Sequence, residues 1–198
     1  MRFLCTLCLG VLFVGCSGAP SRVIPEAPAR NAAATAIEQF DADKDGLLSE
    51  QELAKAPGLK AGLKQGDTDQ DGKLSAAEIN GRIAAWANTK VARMQLVLMI
   101  TRHGQPLASA DVKIVPESFL GTALQAGAGQ TNAQGRVMPS APESDDKPHG
   151  LAPGYYRIEI QTANGDIPAA FNTATTLGVE MAPDSNILTA GPLRIEIP

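Results

Sequence analysis

The spacing of apolar and polar positions changes three times along this chain. Phe3 to Val14 is an almost unbroken apolar run behind Met1-Arg2. At about a dozen residues it is too short to span a bilayer as a stable helix, and it has the length of an export-signal core. From Asn31 the period becomes helical. Asn31 stands in an N-cap position before a helix over Ala32 to Phe40, with Ile37 and Phe40 on one face. A second helix starts near Ser49 and carries Leu53 inward. Pro57-Gly58 is expected to end it, because the residue before a proline disfavours the helical region. Leu59 and Leu63 stack on a helix over Leu59 to Gln65, and Ile79, Ile83 and Trp86 follow one stripe of a longer helix from Ser75 towards Thr89.

At Val91 the period falls to two. Met94, Leu96, Leu98 and Ile100 alternate with Arg93, Gln95, Val97, Met99 and Thr101, the pattern of a largely buried strand. Ala110 to Val115 is a second strand, stopped by Pro116. Arg136-Val137-Met138 is a third, and Tyr155 to Ile160 places Tyr156, Ile158 and Ile160 on one face and Tyr155, Arg157 and Glu159 on the other. Leu193, Ile195 and Ile197 form a closing strand. His103-Gly104-Gln105-Pro106, Thr131 to Gly135 and Pro153-Gly154 are turn signals between them. Short strands punctuated this way predict an antiparallel β-sandwich. The fold class is therefore multi-domain, α followed by all-β.

Composition adds limits. A chain of 198 residues with 44% hydrophobic and 4% aromatic content supports one or two modest cores. Its net charge of −4 carries no basic footprint for nucleic acid. The three cysteines are Cys5, Cys8 and Cys16, so only Cys16 is expected to remain after cleavage and the exported chain forms no internal disulfide. Phe13-Val14-Gly15-Cys16-Ser17 resembles a bacterial lipobox, with Phe13 where leucine is usual. The competing boundary is ordinary cleavage near Gly18-Ala19. A lipobox implies residues 1–15 as signal, lipid attachment at Cys16, and a protein exported and anchored to a bacterial membrane, facing the periplasm or the cell surface. Residues 16–30, with Pro20, Pro25 and Pro28, read as an extended tether that reaches about 40 Å at roughly 3.1 Å per residue.

Within the helical stretch, residues 31–90, lie two acidic loops of one design. Asp41, Asp43, Asp45, Gly46 and Glu52 in the first, and Asp67, Asp69, Asp71, Gly72 and Glu78 in the second, fit the calcium-loop pattern D-x-[DN]-x-[DN]-G-x5-E without a mismatch. Ca²⁺ takes six to eight oxygen ligands in a flexible shell. The three aspartates of each loop supply carboxylates, Leu47 and Lys73 backbone carbonyls, Ser49 and Ser75 a direct or water-bridged contact, and Glu52 and Glu78 both oxygens. Two ions are expected. The glycines allow the sharp turn around the ion, and Leu48 and Leu74 stand where paired loops exchange strand contacts.

These loops resemble an EF-hand pair. The stretch between Glu52 and Asp67 is short, and no methionine lies between Asn31 and Lys90. The Met-rich groove that calcium sensors expose is therefore missing, and a structural module is expected. As a unit of its own, it is expected to melt alone when calcium is removed. Trp86, three residues from Ile83, is expected in its core.

For residues 91–198, three phrases occur in order: Gly104 to Val112, Thr131 to Gly135, and Gly150 to Ile158. Together they resemble the carboxypeptidase regulatory-like (transthyretin-like, prealbumin-type) β-sandwich family. That resemblance implies a non-catalytic module used for rigidity, adhesion or ligand contact. The residues agree. No Gly-x-Ser-x-Gly, cysteine nucleophile or phosphate-cradling loop appears. His103, His149, Tyr155 and Tyr156 have the types of an iron site, but adjacent tyrosines point to opposite faces of a strand. Asp145-Asp146 reads as a solvated loop. The chain is read as a lipid-anchored, calcium-binding cell-envelope protein with a structural or adhesion role and no enzymatic activity. The alternative is a small-ligand or carbohydrate-binding lipoprotein, its aromatic candidates being Tyr155, Phe119 and Phe171. Ile167 to Leu177 is either a partner-contacting loop or a crossover packed on the core.

Overall fold

The computed structural model describes residues 27–142, 149–185 and 190–198. The leader, the lipobox at Cys16, most of the tether and Asp145-Asp146 lie outside the described residues. No helix among the described residues is long and apolar enough to cross a membrane.

The helical unit comprises α1 (Ala32–Phe40), α2 (Glu50–Leu53), α3 (Pro57–Ala61), α4 (Leu63–Gly66) and α5 (Ala76–Thr89), with β1 (Leu47–Leu48) and β2 (Leu74–Ser75) as a two-stranded ladder. Asn31 takes the N-cap place of α1 without capping through its side chain, which is turned to Thr35 Oγ1 at 3.2 Å. Pro57 opens α3 instead of closing α2. Proline suits the first helical turn, where its missing N–H has no intrahelical partner to lose. The helix expected over Leu59 to Gln65 is broken at Gly62 into α3 and α4.

The β-unit has two four-stranded sheets. One contains β3 (Leu98–Arg102), β4 (Gln105–Pro106), β7 (Arg136–Val137) and β10 (Leu193–Ile197). The other runs β6 (Gly127–Gln130), β5 (Asp111–Pro116), β8 (Gly154–Gln161), β9 (Gly178–Met181). Leu98 and Ile100 from the first sheet meet Val112, Ile114, Tyr156, Ile158, Ile160 and Val179 from the second in one core. His103 and Gly104, with φ of 50° and 74°, turn β3 into β4. Positive φ at both central residues matches the right-handed twist of the flanking strands.

One correction concerns strand direction. The closing strand β10 runs parallel to β3, Leu193 opposite Leu98 through Ile197 opposite Arg102, so the β-unit is not wholly antiparallel. A parallel partner needs a long crossover, and the chain supplies one by leaving β9 in the second sheet and returning to the first. The segment 167–177 behaves as a packed crossover: Ile167 is buried, Phe171 and Leu177 pack on the core, and Thr175 Oγ1 donates to the Ile158 carbonyl at 2.6 Å.

Tyr155 and Tyr156 are both fully buried, on opposite sides of β8. Tyr156 faces the core between the sheets, whereas Tyr155 belongs to the core of the helical unit, with Leu53, Leu59, Ile79, Trp86, Phe119, Leu120 and Ala182. Trp86 packs edge-on against Tyr155, ring centroids 4.7 Å apart. The core of the helical unit therefore takes in residues of the β-unit. Backbone contact is equally close. A Cβ on Gly178 of β9 would lie 1.8 Å from the Pro57 carbonyl oxygen, and one on Gly58 would lie 2.6 Å from Tyr156 N. Ala29, assigned to the tether, already donates to the Leu120 carbonyl at 2.9 Å.

Glu117, 2% exposed, sits in this seam. Its Oε1 accepts from Gly58 N at 2.8 Å, and Arg157 Nε stands 3.8 Å from Oε2. Burial pushes its carboxyl up from an ordinary 4.5 to about 7, against the pull of the Gly58 N–H and Arg157. A folded value above the unfolded one means stability is greatest below pH 4.5 and falls as pH rises through 7. Glu117→Gln keeps the acceptor for Gly58 and cannot ionise. Its melting temperature is expected to gain on that of the wild type between pH 5 and pH 8. Parallel melting curves across that range would contradict the assignment.

Candidate metal centre

The β1–β2 ladder pairs Leu47 with Ser75 and Leu48 with Leu74. Both Leu48 and Leu74 are fully buried, so a small hydrophobic clasp sets the two acidic loops side by side. Each loop then turns on the same backbone plan. Lys44 and Gln70, fourth in their loops, both have φ of 62°, and Gly46 and Gly72 have φ of 85° and 80°. The left-handed conformation is costly for a side chain and open to glycine.

This winding turns N–H groups inward onto the first aspartate. In the first loop Lys44 N and Gly46 N donate to the Asp41 carboxylate at 2.7 and 2.9 Å. Asp45 N donates to Asp43 Oδ1 at 3.1 Å and Leu47 N to Asp45 Oδ1 at 2.8 Å. The second loop repeats the pattern, with Gly72 N on Asp67 Oδ2 at 2.9 Å, Asp71 N on Asp69 Oδ1 at 3.2 Å and Lys73 N on Asp71 Oδ1 at 2.8 Å. A carboxylate oxygen can accept more than one hydrogen bond, so these contacts do not exhaust the aspartates as donors to a cation. Carboxylate oxygens of Asp41, Asp43 and Asp45 lie within 4.8 Å of one another, as do those of Asp67, Asp69 and Asp71. Three like charges at that spacing repel unless a cation sits among them, and an all-oxygen donor set of this kind suits Ca²⁺.

The remaining predicted ligands are arranged differently. Glu52 stands at the mouth of its loop: Oε1 accepts from Ala42 N at 2.7 Å, and Oε2 from Ser49 N and Ser49 Oγ at 2.9 and 2.7 Å. Glu78 does the same with Thr68 N, Ser75 N and Ser75 Oγ at 2.8, 2.9 and 2.9 Å. Ser49 and Ser75 thereby form capping boxes that start α2 and α5. The twelfth-position carboxylates are thus tied to the loop entrance and helix start together. The donors around them lower both acids. The Ser49 hydroxyl and N–H bring Glu52 to about 2. At Glu78 burial opposes ionisation, but Ser75 and Thr68 outweigh it and bring the group to about 2 as well.

Charge compensation is unequal. Lys73 Nζ reaches out of its own loop to Asp45 Oδ2 at 2.7 Å and holds the Asp45 carboxyl below its ordinary value. Asp69 accepts from Asp71 N, yet desolvation and the neighbouring Asp71, Glu78 and Asp67 raise it. Only the backbone of Lys73 carries a role in the sequence reading. Its side-chain partner lies 28 positions away and becomes visible only through the ladder register.

A second group was not legible at all. Arg82, one turn beyond Glu78 on α5, donates through Nε to Glu180 Oε1 at 2.5 Å and through both terminal nitrogens to Asp184 at 2.6 and 2.8 Å. Trp86 Nε1 donates to the same Glu180 Oε1 at 3.0 Å. Burial pushes Glu180 up while Arg82 and Trp86 pull it down. Trp86 is in the core as expected, and also acts as a hydrogen-bond donor across the seam. Of the aromatic candidates for a ligand platform, Tyr155 and Phe119 are buried, which removes both from any exposed surface. Tyr155 and Tyr156 enter separate cores and do not converge on one site.

A family model described as EF hand matches residues 33–55 and 59–81. No curated protein and no solved structure matches the chain. The chain therefore contains two EF-hand repeats with Asp-rich loops, which imply calcium binding.

Calcium titration by calorimetry tests the individual loops. Glu52→Gln and Glu78→Gln are each expected to remove or weaken at least tenfold one of two binding events, since a bidentate carboxylate closes the shell. An unchanged titration in either variant would remove that glutamate from the ligand set.

Proposed function

We propose that this chain is a lipid-anchored protein of the bacterial cell envelope in which two calcium ions brace a β-sandwich for a structural or interaction role. Calcium binding comes from the EF-hand repeats. The role is supported by one observation above the others: the core of the calcium-binding unit takes in Phe119, Leu120, Leu124, Ala152, Tyr155 and Ala182 from the β-unit. A calcium-triggered helix movement would have to break that packing. Calcium here acts by mass action on folding. A site of about 10 μM in about 1 mM calcium adds roughly 2.7 kcal/mol.

The β-unit is read as a carboxypeptidase regulatory-like sandwich. Two sheets around one core support this, as do the three family-like phrases, which fall at the β3–β4 hairpin, the Asn132 turn and the corner entering β8. The parallel β3–β10 pair is a departure from an all-antiparallel plan. The sequence carries no Gly-x-Ser-x-Gly motif or phosphate-cradling loop, which agrees with a non-catalytic role. Cys16, beyond an export-like leader and ahead of a proline-rich segment, supports anchoring by lipid.

Thermal unfolding of the full chain with and without chelator tests the bracing role. Trp86 fluorescence reports the seam, because Trp86 is the only tryptophan. Far-ultraviolet circular dichroism reports the whole chain. Chelator is expected to lower one shared transition by several degrees. Two separated transitions, with only the helical one sensitive to calcium, would overturn mechanical coupling, and insensitivity to calcium would overturn bracing. For the anchor, Cys16→Ala is expected to move the protein from the membrane to the soluble fraction of expressing bacteria. Unchanged fractionation would remove Cys16 as the attachment point.

A further inference from the structure

The two loops have the same acidic donors and different neighbours. Lys73 is the seventh residue of the second loop, and its N–H donates to Asp71 Oδ1 of that loop at 2.8 Å. Its side chain instead crosses to the first loop, with Nζ 2.7 Å from Asp45 Oδ2. The ladder makes this reach possible, because Lys73 immediately precedes β2 and Asp45 lies two residues before β1. The equivalent seventh residue of the first loop is Leu47, which has no charge to return. Among the described residues, no ion pair involves Asp67, Asp69, Asp71 or Glu78. One of the three converging carboxylates of the first loop is thus already engaged by a cation, and none of the second.

We propose that Lys73 sets the order in which the loops fill, its ammonium competing with calcium for Asp45 so that the second loop binds first and the first loop more weakly. The inference rests on the reading of both loops as calcium sites. An ion entering the first loop must displace Nζ from Asp45 or share the carboxylate with it. At about 5 Å in a solvent-like dielectric, repulsion between a divalent and a monovalent cation corresponds to roughly tenfold in affinity. The Lys73 and Asp45 side chains are 36% and 38% exposed, so salt screens the effect. A residue that supplies a carbonyl to one ion would in this way penalise the other, and the loops differ in affinity although their ligand sets match.

Calorimetric calcium titration of the full chain tests this in a Glu78→Gln background, which leaves the first loop as the measured site. Adding Lys73→Gln is expected to tighten that site about tenfold at about 0.1 M salt and by much less at about 1 M. Lys73→Arg, which retains the charge, is expected to stay near the parent. Lys113→Gln, on the exposed face of β5, controls for net charge and is expected to change nothing. First-loop affinity that is unchanged or weakened in Lys73→Gln overturns the proposal while leaving the calcium reading intact. An equal gain from Lys113→Gln overturns it too, by making the effect one of overall charge. Absence of calcium heat from the chain without substitutions overturns the underlying reading of the loops.

Discussion

The Glu180 carboxylate lies in a buried seam, where one oxygen accepts from Arg82 Nε and Trp86 Nε1 while the Arg82 fork closes on Asp184. Such a pair gains little over apolar packing, because both charges leave water. Once formed it is costly to break, at about 3–5 kcal/mol for removal of one partner. Its effect is therefore to specify how α5 meets β9. Around it, Tyr155 packs between Trp86 and Phe119, and Gly58 and Gly178 let backbone approach backbone. The helices cover an outer sheet face that would otherwise expose Tyr155 to solvent.

That arrangement changes what a calcium loop can do. Glu78 is tied to the start of α5 through Ser75, and Arg82 and Trp86 follow on the same helix. A helix held at one end by its loop and along its length by the β-unit is poorly placed to swing. On the function proposed above, calcium occupancy acts on the stability of the joined body. The loops also depend on each other, since Leu48 and Leu74 close one clasp and Lys73 carries charge from one loop to the other.

Several features could be read from residue order alone because their causes are local. The aspartate spacing and the glycine at the sixth position of each loop dictate a turn that converges three carboxylates, and the structure places Asp41, Asp43 and Asp45, and Asp67, Asp69 and Asp71, within reach of one ion. Period-two alternation identified the buried Leu98 and Ile100, and the Pro153-Gly154 corner identified the start of β8. Pro57 was misleading for a local reason as well. A proline both ends one helix and suits the first turn of the next, and here α2 has already ended at Leu53 and Pro57 opens α3 after a non-helical Ala56.

Contacts between residues far apart in the chain had no such signature. Alternation along β8 puts Tyr155 on the face opposite Tyr156, and an outward face of a sheet reads as solvent until something is known to cover it. The cover comes from residues 32–86, whose own pattern is satisfied by an isolated helical unit. Arg82 and Glu180 are 98 positions apart, and nothing in either neighbourhood names the other. The direction of β10 is likewise undetermined by its alternating residues, which suit a parallel or an antiparallel partner equally. The sequence determined the acidic loops and several of the strand-forming stretches, because turn geometry and side-chain periodicity act over a few residues. Only the tertiary structure decided that the helical core takes in Tyr155, Phe119 and their neighbours from the β-unit, since burial of a face depends on what the rest of the chain brings to it.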